Sequence, residues 1–268
     1  MNTDDFRYMW RGKQIKSLAH HERDLLTSIE QHGPGDTNAL LLLHGFSSSP
    51  AVYRELLPVL PPYDAIICPT LPGHGESIQA FSTIKASDWL RTAENACEKL
   101  VKNYQKVDVM GLSLGGLLAC RLSEIFPLHH LYLLAPALDL HLNIKRSLQL
   151  ARVLQWLGFQ YLRNRAGNLC SELYSELAYR QLPITAIIEI LTLIQEFQFT
   201  PPSCAIDLFL GCFDQVVDST RVASRFVKLP QCNIHWLPKS AHVLPLDSDL
   251  KSIAACVHEQ FQKTLSVA

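Results

Sequence analysis

The sequence predicts a doubly wound α/β domain built on a mostly parallel sheet. Short apolar runs alternate along the chain with longer stretches of helical periodicity. Most of these runs are continuously apolar, which is typical of strands whose two faces are both covered by helices. The 268 residues, 48% of them hydrophobic, can bury one large core. We therefore expect a single domain over residues 1–268.

The predicted strands are short, apolar and closed by glycine or proline signals. They lie at residues 39–43, 65–68, 107–110, 131–135, 206–210 and 234–237. Helical patterns occupy the intervals, and the two clearest cover residues 86–104 and the segment just after Ser113. In sheets of this kind, sites form beyond the carboxyl ends of the strands. Functional residues are therefore expected in the loops that follow these runs.

The alternation is interrupted over residues 139–202, where helical patterns occur without a convincing strand. We interpret this segment as a helical cap inserted into the domain. Its best helix begins at Pro183, a residue favoured in the first turn, and places Ile184, Ile187 and Leu191 along one stripe. Two interpretations stay open for this apolar helix. It packs on the core, or its inner face lines a pocket for an acyl chain.

The first 38 residues carry weaker signals. Phe6 and Trp10 precede a weakly amphipathic stretch that contains Leu18, Leu25 and Ile29. One interpretation is a helix packed on the domain. The other is a contact surface in a homodimer.

Composition argues against several classes of protein. The 24 basic and 25 acidic residues leave a formal charge of −1, which provides no field to attract nucleic acid. The chain shows no signal-peptide pattern and no run near the roughly 18 apolar residues that span a bilayer. Its eight cysteines include no Cys-x-x-Cys pair. We expect a cytoplasmic protein with reduced thiols, no nucleic-acid partner and no transmembrane segment.

The stretch GLSLGG, residues 111–116, places Ser113 between a predicted strand and a predicted helix. An abrupt strand-to-helix turn strains the backbone at its tip, and Gly111 and Gly115 leave room for the neighbouring segments to pass closely. The hydroxyl of Ser113 then stands beside a helix N-terminus, which favours a developing negative charge. Ser113 is the predicted nucleophile.

A serine hydroxyl needs a base, usually a histidine that a carboxylate holds in one tautomer. In this arrangement the chain order is serine, acid, histidine. Asp214 follows the predicted strand 206–210 and is the predicted acid. Its competitor Asp218 directly precedes a helical pattern and is better explained as a helix cap. His242, in the loop after the last predicted strand, is the predicted base.

Two further histidines, His44 and His74, adjoin glycines in loops that follow strands. Neither follows the acid in chain order, and we expect them to orient their loops by hydrogen bonding. No pair of histidines or cysteines shows the spacing of a zinc site. The sequence therefore predicts no metal site.

Attack on a carbonyl creates an oxyanion that needs two preorganised donors. The amide after the nucleophile, that of Leu114, is the first predicted donor. The second is the amide of Phe46, because Gly45 permits a sharp turn in the stretch LLLHGF. The ring of Phe46 is also placed to line an acyl pocket.

Five motifs, HGFSSSP, LPGHGES, GLSLGG, GCFDQVVD and SAHVLPLD, occur in this order over residues 40–247. Together they resemble the α/β-hydrolases of the monoacylglycerol-lipase and small bacterial carboxylesterase group. The resemblance implies an α/β-hydrolase fold with a helical cap and no cofactor. It also implies a triad of Ser113, Asp214 and His242, with the same two oxyanion-hole amides.

The expected activity is hydrolysis of a small ester or lipid-like substrate, with short to medium acyl chains or a monoacylglycerol, through an acyl-enzyme. Thioester, amide or carbon–carbon bond hydrolysis, and acyl transfer to an acceptor other than water, stay open at the same residues. A further alternative is a non-catalytic binder of a hydrophobic ligand. Haloalkane and epoxide chemistry is disfavoured because those sister groups resemble this fold with an aspartate in place of Ser113.

Overall fold

The computed structural model describes residues 3–266. Its strands are β1 (Phe6–Trp10), β2 (Lys13–Ser17), β3 (Ile29–His32), β4 (Asn38–Leu43), β5 (Ala65–Cys68), β6 (Lys106–Leu112), β7 (His130–Leu134), β8 (Tyr161–Arg163), β9 (Glu176–Tyr179), β10 (Gln181–Pro183), β11 (Ala205–Gly211) and β12 (Cys232–Leu237). Its α-helices are α1 (Ile78–Thr83), α2 (Ala86–Asn103), α3 (Leu114–Ile125), α4 (Ile144–Trp156), α5 (Ile184–Glu196), α6 (Ser219–Phe226) and α7 (Leu250–Ser266).

A seven-stranded sheet with the order β12-β11-β7-β6-β4-β5-β3 forms the centre of the fold. Neighbouring strands are parallel throughout, except that β3 runs antiparallel to β5 at one edge. All six predicted strands lie in this sheet, with ends that differ by at most two residues. The predicted fold class, a mostly parallel doubly wound sheet, is confirmed. The parallel direction also brings the loops after β4, β6, β11 and β12 to one edge.

Helices cover both faces of the sheet. Successive residues of β4 point to opposite sides, so that Leu41 belongs to a core cluster with residues of α2, α3, α5 and α6, while Leu42 belongs to a second cluster with residues of α7. Both side chains are fully buried, as are Trp89 of α2 and Val257 of α7. This two-sided burial explains why the strands are continuously apolar rather than alternating.

The segment between β7 and β11 contains α4, α5 and three short strands. The predicted helix is present as α5, and Pro183 directly precedes it. The sequence indicated no strand here, yet β8 pairs with β10 and β9 pairs with β1. These strands have three or four residues, too few for a period-2 pattern to stand out. That the segment over residues 139–202 acts as a cap remains a prediction.

The N-terminal segment is not the packed helix that one interpretation of its sequence suggested. It forms the hairpin β1–β2, a short 3-10 helix over His20–Leu26 and the edge strand β3. Arg11 and Gly12 both have positive φ, 46° and 71°, which is the backbone of a tight hairpin turn. Phe6, Tyr8 and Met9 are buried while Arg7 and Trp10 are half-buried, so this strand does not show the strict alternation that predicts a strand from sequence.

Two further findings bear on the predicted class of protein. Within residues 3–266, no helix combines the length and the apolar character needed to cross a membrane. The eight cysteines, all of which lie in the described part of the chain, are free thiols.

Asp218 caps α6, as predicted from its position. Its carboxylate accepts a hydrogen bond from the amide of Arg221 at 3.0 Å. We expect Asp218→Ala to lower the free energy of unfolding by about 1 kcal/mol, because that helix amide loses its partner. Asp218→Asn, which can still cap, should cost only a few tenths of a kcal/mol. Urea denaturation of the three proteins checks this, and equal losses in both variants would contradict the capping role.

Candidate active site

Ser113 is the single residue that joins β6 to α3. It has φ 53° and ψ −111°, a conformation that side chains rarely adopt. A Cβ on Gly111 would overlap the carbonyl of Gly115, and one on Gly115 would overlap the carbonyl of Leu43. The glycines therefore permit the close passage of β4, β6 and α3 around the turn. Strain of this kind costs of order 1–3 kcal/mol and persists only where the surroundings impose it.

Backbone hydrogen bonds hold the Ser113 turn in place. The amide of Ser113 donates to the carbonyl of Leu134 in β7 at 3.0 Å. The carbonyl of Ser113 accepts from the amides of Gly116 and Ala137 at 3.0 and 2.9 Å. The turn is thereby tied to both the sheet and the first turn of α3.

Asp214 and His242 form a hydrogen-bonded pair at the same edge of the sheet. The Nδ1 atom of His242 lies 2.8 Å from Oδ2 of Asp214, and the carboxylate's other oxygen accepts from the amides of Val216 and Val217 at 2.7 and 2.9 Å. Burial acts to lower the pKa of His242, but the charge and hydrogen bond of Asp214 outweigh it, and the pKa is raised above its usual value. The carboxylate of Asp214 therefore stabilises the protonated form of the His242 imidazole.

The loop that carries His242 is anchored by Asp247, a buried carboxylate. Asp247 accepts hydrogen bonds from the amides of Ala241 and Ser171 at 2.7 Å, and from those of Cys170 and Ser248. The carbonyl of Asn168 accepts from the amide of His242 at 3.0 Å. The loop after β12 is thus joined to the segment before β9. No sequence pattern predicted that this segment supports the site.

His44 and His74 orient the loop after β4, as the sequence predicted. The Nε2 atom of His44 accepts from the amide of Leu71 at 3.0 Å, and that of His74 accepts from the amide of Ser47 at 3.0 Å. Complete burial lowers the pKa of His44 to about 4 and also lowers that of His74, so both rings are neutral acceptors. Phe46 lies in the chain between His44 and Ser47, the two residues of this loop that make these hydrogen bonds.

One cavity of about 500 Å³ brings most of the predicted residues together. Ser113, His242, Phe46 and Leu114 all line it, whereas Asp214 lies behind His242. The rest of its lining is mainly apolar and comes largely from α4, α5 and the loops beside them. From α4 and α5 it includes Leu150, Ala151, Leu154, Ile187, Ile190, Leu191 and Ile194. The apolar stripe of α5 thus faces the cavity as well as the core.

Polar residues of the segment 164–176 also reach this cavity, and they were not predicted from the sequence. Glu176 is buried and lines the cavity, and its carboxylate accepts from the amide of Gly167 at 2.6 Å. Burial raises the pKa of Glu176 above its usual value. Asn164 binds Oγ of Ser47 at 3.2 Å. No motif marks these positions, because they approach the cavity only through tertiary contacts, among them the pairing of β9 with β1.

The sequence profile of the alpha/beta hydrolase family matches residues 40–255, most of the chain. The chain belongs to the α/β hydrolase family. This confirms the resemblance that its five motifs indicated. The match covers every residue assigned to the candidate active site, from the loop after β4 to His242.

Individual relatives of this family member are distant. A thermostable monoacylglycerol lipase of Bacillus sp. (strain H-257) is 25% identical over 84% of this chain and 90% of that protein. The magnesium-chelatase 30 kDa subunit of Rhodobacter capsulatus is 35% identical, but over only 40% of this chain and 37% of that protein. Relatives with such low identity or coverage do not assign a substrate, so the substrate class is argued from the site.

Solved structures agree on the fold. One of the metagenome-derived lipolytic enzymes LipS and LipT superposes with a TM-score of 0.79 at 22% identity, covering 89% of this chain and 98% of that one. The monoacylglycerol lipase of Paleococcus ferrophilus superposes with a TM-score of 0.66 at 16% identity, covering 89% and 99%. These likenesses establish the α/β-hydrolase fold.

The hydrogen bonds to Asp247 should contribute to the stability of the protein. Asp247→Ala should lower the free energy of unfolding by roughly 3 kcal/mol, because several buried amides lose their acceptor. Asp249 is the matched control, since it also binds the loop, accepting from the amide of Lys239 at 2.8 Å, but is only half-buried. Asp249→Ala should cost less because it frees one amide, which water reaches, and the hydroxyl of Ser240, whereas Asp247→Ala frees four amides. Chemical denaturation of both variants makes the comparison, and a larger loss for Asp249→Ala would contradict it.

Proposed function

We propose that this chain is a serine carboxylic-ester hydrolase that forms an acyl-enzyme on short to medium acyl esters or monoacylglycerols. One observation carries the proposal. Ser113, on a strained turn at a helix N-terminus, lines the same apolar cavity as His242, whose other ring nitrogen is bound to Asp214. A turn-held serine, a histidine and a buried carboxylate are the parts that nucleophilic ester cleavage requires.

In the first step, Nε2 of His242 takes the hydroxyl proton of Ser113 while Oγ attacks the ester carbonyl carbon. Asp214 holds the ring through Nδ1 and stabilises the imidazolium that forms. The proton then passes from His242 to the leaving alkoxide as the carbon–oxygen bond breaks. An alcohol leaves, and an acyl group remains on Ser113.

The tetrahedral intermediate carries a negative charge on the former carbonyl oxygen. The amides of Phe46 and Leu114 border the cavity, and within residues 3–266 neither donates a hydrogen bond to another group. They are therefore available to bind this oxyanion, and the N-terminus of α3 adds a favourable dipole. His44 and His74 support this role by fixing the loop that carries Phe46.

In the second step, His242 removes a proton from water, which attacks the acyl carbon. The same proton returns to Oγ of Ser113 when the acid leaves, so the enzyme ends as it began. The apolar walls from α4 and α5 bind the acyl chain, which explains why the cavity has few polar groups. The 25% identity to a Bacillus monoacylglycerol lipase supports the same class of substrate.

The first test is the specificity constant kcat/KM for p-nitrophenyl esters from acetate to palmitate, with Ser113→Ala as the blank. We expect a maximum at short to medium chains that is absent in the variant, because side chains of α4 and α5 line a cavity of only about 500 Å³. A maximum at long chains would assign lipid-like esters. Turnover that persists in Ser113→Ala would refute the nucleophile, and labelling of Ser113 by a fluorophosphonate without turnover would favour a thioester, amide or transfer reaction.

The identity of the acid gives a second test. Asp214→Asn should lower kcat/KM by roughly 10³- to 10⁴-fold, because the imidazole loses its orienting charge. Asp218→Asn should leave the rate nearly unchanged, since Asp218 is bound to the amide of Arg221. The reverse ranking would show that the other carboxylate is the acid.

The pH profile follows from the raised pKa of His242. The base must be neutral, so kcat/KM should fall as the pH drops through this pKa, with an inflection above the ordinary histidine value of about 6.5. In Asp214→Asn the effect of burial on the pKa of His242 remains while the larger of the two opposing charges, Asp214 and Glu176, is lost, so the residual activity should extend to lower pH. Initial rates across a pH series measure both inflections.

A further inference from the structure

A cluster of metal-binding side chains lies under α7, outside the cavity that Ser113 and His242 line. Asp207 of β11, His235 of β12 and Cys256 of α7 each present a ligand atom, and these atoms all lie within 4.8 Å of one another. The Nε2 atom of His235 is 2.6 Å from Oδ1 of Asp207 and 3.9 Å from Sγ of Cys256. The three residues come from three separate elements, so no sequence spacing revealed them.

We propose that Asp207, His235 and Cys256 form a zinc-binding site. Carboxylate oxygen, imidazole nitrogen and thiolate sulfur are the ligands that Zn²⁺ uses in proteins, at about 2.0 to 2.3 Å. Ligand atoms in a tetrahedron of that size are roughly 3.3 to 3.6 Å apart. The contact of 3.9 Å closes by a few tenths of an ångström, and the hydrogen bond of 2.6 Å opens by less than 1 Å.

The surroundings hold two of the ligands in place. Asp207 is completely buried, and its second oxygen binds Nε2 of His130 at 2.8 Å, which fixes the plane of the carboxylate. The ring of His235 stacks on Phe209, with centroids 4.7 Å apart and planes 16° from parallel. Such outer contacts are what metal sites use to orient their ligands.

The site is open on one side. A surface depression of about 630 Å³ is lined by all three ligands and by Glu259 and Lys263. The ion can enter there, and water from the depression completes a tetrahedron. The side chain of His235 is 35% exposed, whereas that of Asp207 is not exposed.

The charges of the assembled site balance. Zn²⁺ binds the Asp207 carboxylate and the Cys256 thiolate, so the two negative charges equal the charge of the ion. The thiol proton is released to solvent, and the proton on Nε2 of His235 is replaced by one on Nδ1. A neutral cluster is far less costly to bury than the carboxylate or the ion alone.

Metal titration of the full-length chain, first stripped with a chelator, tests the proposal. We expect Co²⁺ to bind with one ion per chain and to give a thiolate-to-cobalt charge-transfer band that Zn²⁺ abolishes. Zn²⁺ should also raise the melting temperature. Cys256→Ser should lose the band and bind Co²⁺ at least about 10-fold more weakly. Cys232→Ser is the matched control, because Cys232 lies on β12 outside the cluster and should change neither result.

His235→Gln provides a second variant that keeps the thiol. It should weaken Co²⁺ binding by a similar factor, and circular dichroism confirms that each variant is folded. Absence of the band and of any Zn²⁺-dependent rise in melting temperature in the unaltered chain would overturn the proposal. So would an unchanged Co²⁺ affinity in both folded variants. Turnover of p-nitrophenyl esters should be equal with and without metal. The outcome of the metal titration therefore does not bear on the proposed function, which the ester assay tests separately.

Discussion

The close approach of β4, β6 and α3 around Ser113 is the constraint on which the rest of the site depends. One residue makes the whole change of direction between strand and helix, at a positive φ that the surrounding backbone imposes. The contact exists because Gly111 and Gly115 have no side chains to separate the segments. It sets the position of the Ser113 hydroxyl relative to the loop after β4, and therefore relative to the amide of Phe46.

A second set of contacts joins the wall of the cavity to the loop after β4. The carbonyl of Ser47 accepts from the amide of Tyr179 in β9 at 3.3 Å, and the side chain of Asn164 binds the Ser47 hydroxyl. Tyr179 in turn donates to the carbonyl of Gly73, and Arg54 donates to the carbonyl of Ser175 at 2.7 Å. The segment between β7 and β11 is thereby joined to the loop after β4 by hydrogen bonds. Because β9 also pairs with β1, the start of the chain belongs to the same support.

The strand β11 serves two aspartate–histidine systems. Asp214 lies beyond its carboxyl end and binds His242. Asp207 lies within the strand, where burial opposes ionisation but hydrogen bonds from His130 and His235 hold its pKa well below the usual range. In both cases a buried carboxylate is satisfied by histidine rings from neighbouring elements. We propose proton transfer for the first, because His242 lines the same cavity as Ser113, and metal binding for the second, because Sγ of Cys256 lies 3.9 Å from Nε2 of His235.

The sequence by itself determined the six parallel strands, the helices α2, α3 and α5, and most of the candidate residues, because these follow from local rules. Continuous apolar runs marked the buried parallel strands, and Ser113, Asp214 and His242 each follow such a run, so topology alone placed them at one edge. Glu176, Asp247 and the Asp207–His235–Cys256 cluster belong to no local pattern. Only the tertiary structure decided the positions of these residues, because the groups that they bind lie far away in the chain. These groups come together when β9 pairs with β1, when the loop after β12 meets the segment before β9, and when α7 packs on the sheet. The N-terminal hairpin was decided in the same way, because its strand β1 is stabilised by pairing with a segment more than 160 residues later.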